Sequence, residues 1–394
     1  MTRANIEPAK RIEKVEEYYF SSKLREIREM SRQGIEVINL GIGSPDLPPS
    51  QEVIDTLMDQ AYLPGNHGYQ PYTGIQELRD AFAGWYLKHY GVKLDPASEI
   101  LPLMGSKEGI MHISMAFINQ GDKVLVPNPG YPAYRSASAL AGAETVDYQL
   151  MEDNNWMPDM DSLEHIADEG TRLMWINYPN MPTGRAADHE SLSRIVDFAT
   201  RHNILLVNDN PYSFILNDDP TSIFSVEGAM DVAIELNSLS KSHNMAGWRI
   251  GMAAGKGEFI QYIIRVKSNM DSGMFKPLQL AAVRALNADG SWYNKQNTVY
   301  LERRKMVWEI FDLLGCEYKP EQTGMFVWAR IPVQEESGKE YAEKILQEAR
   351  VFITPGFIFG SAGNKYLRAS LCQPAEVIEE AKQRIRKIME NGEW

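Results

Sequence analysis

The sequence predicts an α/β protein whose larger part is a mostly parallel sheet between layers of helices. Short apolar runs recur at residues 123–127, 172–177, 204–208 and 232–236, and each ends in turn-forming residues. Helical patterning separates several of them, most clearly at residues 188–202. Strands buried on both faces read as unbroken apolar runs, because crossover helices cover a parallel sheet above and below. In such sheets ligands gather at the carboxyl ends of the strands, so those ends are where chemistry is expected. The chain has 394 residues, 44% hydrophobic and 24% charged, enough for one large domain and a smaller one.

Composition excludes several classes. A formal net charge of -13 would repel nucleic acid and anionic membranes, so any bound phosphate must be held by local groups. Cys316 and Cys372 are too few for a disulfide framework, and no Cys/His cluster has metal-ligand spacing, so no metal is expected. Residues 1–20 carry no apolar run of signal or membrane length, and the expected location is cytoplasmic.

In chain order, residues 12–32 have apolar residues at helical spacing, and residues 35–40 read as a strand. Gly41-Ile42-Gly43-Ser44-Pro45-Asp46 follows as a turn whose glycines let backbone approach a ligand, or as a plain strand-to-helix connection. Tyr69 lies in a tyrosine-rich loop suited to an interface, before a helix over residues 75–90. Residues 100–104 lead into Gly105-Ser106-Lys107-Glu108-Gly109 and an apolar helix over residues 110–118, a helix start that favours an anion, with Ser106 also readable as a simple cap. Tyr131 stands past the carboxyl end of the 123–127 strand, where it either stacks on a flat ligand or packs. Asn180 and Asp209 occupy later strand ends. The third of the chain beyond residue 277 reads as a long helix to residue 314, a strand at 325–329, a helix at 341–349 and a strand at 366–371. Arg368 interrupts that last strand, and a buried arginine needs an anion, either a ligand or a structural ion-pair partner.

The most informative stretch is Asn237-Ser238-Leu239-Ser240-Lys241-Ser242-His243-Asn244-Met245-Ala246-Gly247-Trp248-Arg249. It sets hydroxyls, one lysine and one arginine after a buried strand. That is a set able to anchor a phosphate and form a Schiff base, or equally a solvated loop.

Taken together and in this order, these motifs resemble fold-type-I pyridoxal-phosphate enzymes, specifically class I/II aminotransferases. The resemblance implies residues 1–45 as an arm and part of the small domain, 46–290 as the large cofactor domain, and 291–394 as a smaller α+β domain. It implies that Lys241 carries the Schiff base and shuttles a proton, that Asp209 pairs with the pyridinium nitrogen, and that Tyr212 bonds the phenolic oxygen. Gly105, Ser106, Lys107, Ser238 and Arg249 are similar to the phosphate cradle, and Tyr131 to the stacking aromatic. Tyr69 resembles the residue that reaches the phosphate of a neighbouring subunit, which implies a homodimer with shared sites. Arg368 would clamp the substrate α-carboxylate, assisted by Gly43 and Asn180.

One residue departs from the family pattern. The position before Pro182-Thr183-Gly184 is usually asparagine and here is Met181. Losing that donor weakens phenolate stabilisation by about 1.5–3 kcal/mol, roughly one to two pKa units. Residues 267–276 carry no arginine for a distal carboxylate, which disfavours a dedicated dicarboxylate enzyme. The motifs resemble most the branch with LL-diaminopimelate aminotransferases and aspartate/alanine enzymes, with 2-oxoglutarate as the usual acceptor. The same scaffold also hosts carbon–sulfur lyases and cyclopropane-forming synthases. A regulator fused to a DNA-binding module is disfavoured by the short stretch before Gly41 and by the acidic charge.

Overall fold

The computed structural model describes residues 6–15 and 19–390. Thirteen strands are found among them: β1 (Ile38–Asn39), β2 (Ile100–Leu103), β3 (Lys123–Asn128), β4 (Glu144–Gln149), β5 (Thr171–Ile176), β6 (Leu205–Asp209), β7 (Ala233–Ser238), β8 (Gly251–Gly255), β9 (Glu317–Tyr318), β10 (Phe326–Arg330), β11 (Val351–Phe352), β12 (Thr354–Pro355) and β13 (Tyr366–Ser370). Seven form one sheet in the order β2-β8-β7-β6-β5-β3-β4. Pairings among β3 to β7 are parallel, and β8 runs antiparallel to both β2 and β7.

Alternation along the strands divides the apolar residues between the two faces of the sheet. Leu173, Trp175, Val207 and Ile234 pack in one core cluster; Met174, Ile176, Leu206 and Ala233 pack in the other. Burial on both sides explains why these strands read as continuous apolar runs. Two strands of this sheet escaped the sequence reading. β8 is built of glycine, methionine and alanine, poor strand formers in isolation, and it exists because two neighbours supply its hydrogen bonds. β4 is an edge strand of mixed polarity with little apolar signal.

The second half of the chain builds an antiparallel sheet, β12-β13-β10-β9. The first strand of the protein joins this region: β1 pairs in parallel with β11, Leu40 N–H donates to Phe352 O (2.9 Å), and Ser370 N–H donates to Leu40 O (2.7 Å).

Three expected elements differ. The stretch 12–32 holds a 3₁₀ turn, Lys10–Lys14, and a helix, Tyr19–Arg32, with residues 16–18 outside the described part. The strand expected over 35–40 shortens to Ile38–Asn39, because its partner β11 is only two residues long before the chain turns into β12. The long helix over 277–314 is two helices, Lys276–Leu286 and Ser291–Leu313. Asn287, Asp289 and Gly290 break it, and Asp289 Oδ1 accepts from Ser291 N–H at 2.8 Å in place of continued helix.

Candidate active site

The parallel strands deliver their carboxyl ends to one cavity of about 570 Å³. At the end of β7 the Ser238 hydroxyl accepts from Ser240 N–H (3.1 Å), starting the short helix Leu239–Ser242 that carries Lys241. Lys241 Nζ donates to the Gly43 carbonyl at 2.5 Å. Burial pushes its pKa below the usual lysine range; nearby Cys372 opposes this, while Arg368 and Arg249 add to it.

Asp209 ends β6, and its Oδ2 accepts from Tyr134 Oη at 2.8 Å. Its Oδ1 is buried without a hydrogen-bond partner among the described residues. Burial raises the carboxyl to about 7, opposed by the Tyr134 hydrogen bond and reinforced by Glu235. Tyr134 lies flat against Trp175, with ring centroids 5.1 Å apart, so the donor to Asp209 is fixed by packing. Tyr212 also lines the cavity, and burial holds its hydroxyl well above the usual tyrosine range.

Around the start of the helix Ser106–Phe117, Ser106, Lys107, Ser238 and Arg249 line the same cavity. Gly105, at φ +84°, is the cap position, and a side chain there would collide with the Arg249 guanidinium. Ser106 is therefore the first helical residue rather than the cap that its hydroxyl suggested. Arg249 itself is left-handed (φ +59°), with Nη1 donating to Ala246 O at 2.9 Å.

Arg368, buried on β13, lines the same cavity. Its Nη2 donates to Gly41 O (2.8 Å) and its Nη1 meets Met181 Sδ (3.2 Å). The guanidinium lies over the rings of Phe326 (3.9 Å), Phe359 (4.6 Å) and Phe20 (5.7 Å). Leu24, Ile42 and Tyr131 also line the cavity.

Three expected residues do not line the cavity: Gly105, at the helix cap beside Ser106, and Asn180 and Tyr69. Asn180 is buried off the cavity, with its Oδ1 accepting from Thr183 Oγ1 at 2.7 Å, and its neighbours Asn177 and Met181 reach the wall instead. Consecutive residues of an extended turn point in different directions, so the asparagine beside Met181 does not replace the missing one. Tyr69 is 92% exposed and lies outside the cavity. Phe20, Leu24, Ile42, Tyr134, Asn177, Phe326 and Phe359 were missed; only Tyr134, three residues after Tyr131 in the helix that Tyr131 caps, carried a usable signal.

Away from the cavity, Glu108, His112 and Asp271 converge within 4.8 Å. Lys267 Nζ pairs with Asp271 at 2.8 Å and already sets a cation against that cluster. No helix among the described residues is long and apolar enough to cross a membrane.

Residues 35–385 match the family model for aminotransferase class I and II. The chain belongs to that family. This aminotransferase is 41% identical over 374 residues to an LL-diaminopimelate aminotransferase of Dehalococcoides mccartyi strain CBDB1, covering 94% of this chain and 96% of that one. Among solved structures it is similar to apo-BacF from Bacillus subtilis (36% identity, TM-score 0.92, 98% of each chain). It is also similar to the aromatic aminotransferase of Pyrococcus horikoshii OT3 (31% identity, TM-score 0.86, 91% of this chain and 96% of that one). These likenesses make the architecture that of a fold-type-I aminotransferase, and the activity that of an amino-group-transferring enzyme acting on small molecules.

Proposed function

We propose that this aminotransferase uses pyridoxal phosphate to move an amino group from an L-amino acid to a 2-oxo acid, probed best with 2-oxoglutarate, and that it works as a cytoplasmic homodimer. The observation that carries the reading is a single cavity holding a desolvated lysine, a buried carboxylate with one open oxygen, and a buried arginine. The residues present fit the cofactor. Asp209 Oδ1 lacks a donor, as a group awaiting a ring N–H would, and the missing side chain at Gly105 lets the Arg249 guanidinium lie against the start of the helix, where a Cβ would collide with it.

Ser106, Lys107, Ser238 and Arg249 would hold the phosphate, Tyr131 would stack on the ring, and Asp209 and Tyr212 would face its nitrogen and phenolic oxygen. When bound, pyridoxal phosphate supplies an aldehyde for amines to condense with and a ring that takes up the electron pair left at the substrate α-carbon. Lys241 then acts as the base: burial disfavours its ammonium form, so Nζ can accept the α-proton and hand it on. Arg368 binds and orients the α-carboxylate beside Gly43, and the aromatic rings around it exclude water and strengthen that ion pair. Tyr69, exposed and remote from its own cavity, would serve the phosphate of the partner subunit.

LL-Diaminopimelate is the first donor to test, since relatives about 40% identical carry that name, with aspartate and alanine next. A second reading of the donor rests on the wall. Phe20, Leu24, Ile42 and Phe359 are apolar, and the cations Lys107, Lys241, Arg249 and Arg368 are all assigned to cofactor or α-carboxylate. That lining favours an apolar or aromatic donor. Purified holoprotein mixed with single amino acids without acceptor tests both, by conversion of the visible absorbance to that of the amine form of the cofactor. Accumulation of keto acid and ammonia without that conversion would replace transamination by the lyase reading.

A further inference from the structure

Residues 41–46 run as irregular chain between β1 and the helix Gln51–Ala61, yet both ends of the proposed substrate site lean on them. Gly41 O accepts from Arg368, at the carboxylate end; Gly43 O accepts from Lys241, at the amine end. Side chains at Gly41 and Gly43 would collide with the rings of Phe352 and Phe326, so the backbone must pass close. A segment without regular secondary structure has no ladder to hold it in register.

Asp46 supplies what the backbone does not. Its carboxylate takes Arg303 in a two-pronged pair, Nη1 to Oδ1 at 2.6 Å and Nη2 to Oδ2 at 2.8 Å. Arg303 comes from the helix Ser291–Leu313, and its side chain is 6% exposed against 21% for Asp46. The same Nη1 donates to Leu371 O at 3.1 Å, in the chain just after Arg368. One guanidinium therefore ties the strand carrying the carboxylate clamp to the segment carrying Gly41 and Gly43. Neither Asp46 nor Arg303 lines the cavity.

We infer that the Asp46–Arg303 pair positions the α-carboxylate clamp by fixing residues 41–46 against the end of β13. The inference rests on the aminotransferase reading. A planar guanidinium bound through two parallel hydrogen bonds fixes distance and angle together, which a lysine or an apolar contact does not. A buried ion pair is weak evidence for stability, since apolar replacements of such pairs are often neutral or stabilising. Geometry is what this pair adds.

The test compares holoenzyme of the wild type, Asp46→Asn, Arg303→Lys and the double variant Asp46→Leu/Arg303→Met. Three quantities are read: the dissociation constant of propionate, a carboxylate without an amine, from its inhibition of the donor half-reaction; the dissociation constant of the cofactor; and the melting temperature. Both single variants should weaken propionate roughly tenfold, the scale of one charge-assisted hydrogen bond, with cofactor affinity and absorbance maximum unchanged. The double variant should regain melting temperature but not propionate affinity. Propionate binding restored along with stability in the double variant, or propionate and cofactor affinities falling together, would make the pair a structural brace and overturn the inference. If the single variants do not fold, the double variant alone decides. Wild type that takes up no cofactor, or gives no half-reaction with any donor, would sink the aminotransferase reading itself, and this inference with it.

Discussion

The two sides of the cavity are built by different means. The side proposed to hold the cofactor comes from one sheet: Asp209 ends β6, Ser238 ends β7 and Lys241 follows it, so their spacing is set by strand pairing. The side proposed to hold the substrate is assembled from separate pieces: Phe20 from the first helix, Gly43 from an irregular segment, Phe326 from β10 and Arg368 from β13. The first is polar and locally encoded; the second is largely aromatic and depends on long-range contacts. Chemistry common to many amino acids can sit on the first, whereas choice among them must come from the second.

The sharpest way to break this division is at Lys241. Lys241→Ala should lower the transamination rate by roughly 10²–10⁴-fold, the scale of a lost general base, while cofactor fluorescence titration still shows binding through the phosphate cradle. Loss of cofactor binding together with activity would mean that the two sides are not separable. Asp209 gives a pH test of the polar side. Its folded pKa, about 7, lies above the unfolded value of 3.8, so its contribution to the stability of the cofactor-free protein is full below that lower value and is lost as pH rises through 7. The size is on the order of 4 kcal/mol. Melting of wild type relative to Asp209→Asn, which cannot ionise, should decline over that window; parallel curves would count against it.

On the substrate side, Arg368→Lys keeps the charge but loses the fork, and KM for any α-amino acid should rise about 10-fold to 100-fold with a smaller change in kcat. An unchanged KM would move the carboxylate elsewhere. The smallest effect concerns Met181, which touches Arg368 where the family usually has an amide donor. Met181→Asn should lower the pKa of the holoenzyme's visible absorbance by roughly one to two units, and no downward shift would argue that Tyr212 alone suffices.

The same contrast explains what could be read in advance. Asp209, Lys241 and the Ser238 to Arg249 stretch were legible because each closes an apolar run, so local pattern and site coincide. Phe20, Phe326 and Phe359 were not: an aromatic in an apolar stretch reads as core until the fold turns it toward a cavity. Arg303 sits in a helix rich in charge, where one more arginine looks like solvated surface. The sheet itself was foreseen from its parallel strands, while β8 depended on neighbours from both sides. Asn180 shows the finest limit: it was expected at the site beside Met181, and only backbone direction decides that Met181 faces in while Asn180 does not.

The pairing of β1 with β11 has a consequence for how the chain comes into being. Residues 38–39 wait for residues 351–352, so a growing chain can close its seven-stranded sheet and bring Lys241 beside Asp209 long before Gly41 meets Arg368. Such distant contacts form late, because the loop between them must be closed first. A half-made protein would thus hold Lys241 beside Asp209 without the proposed carboxylate clamp, which is completed only when residues 38–41 have met residues 351–368.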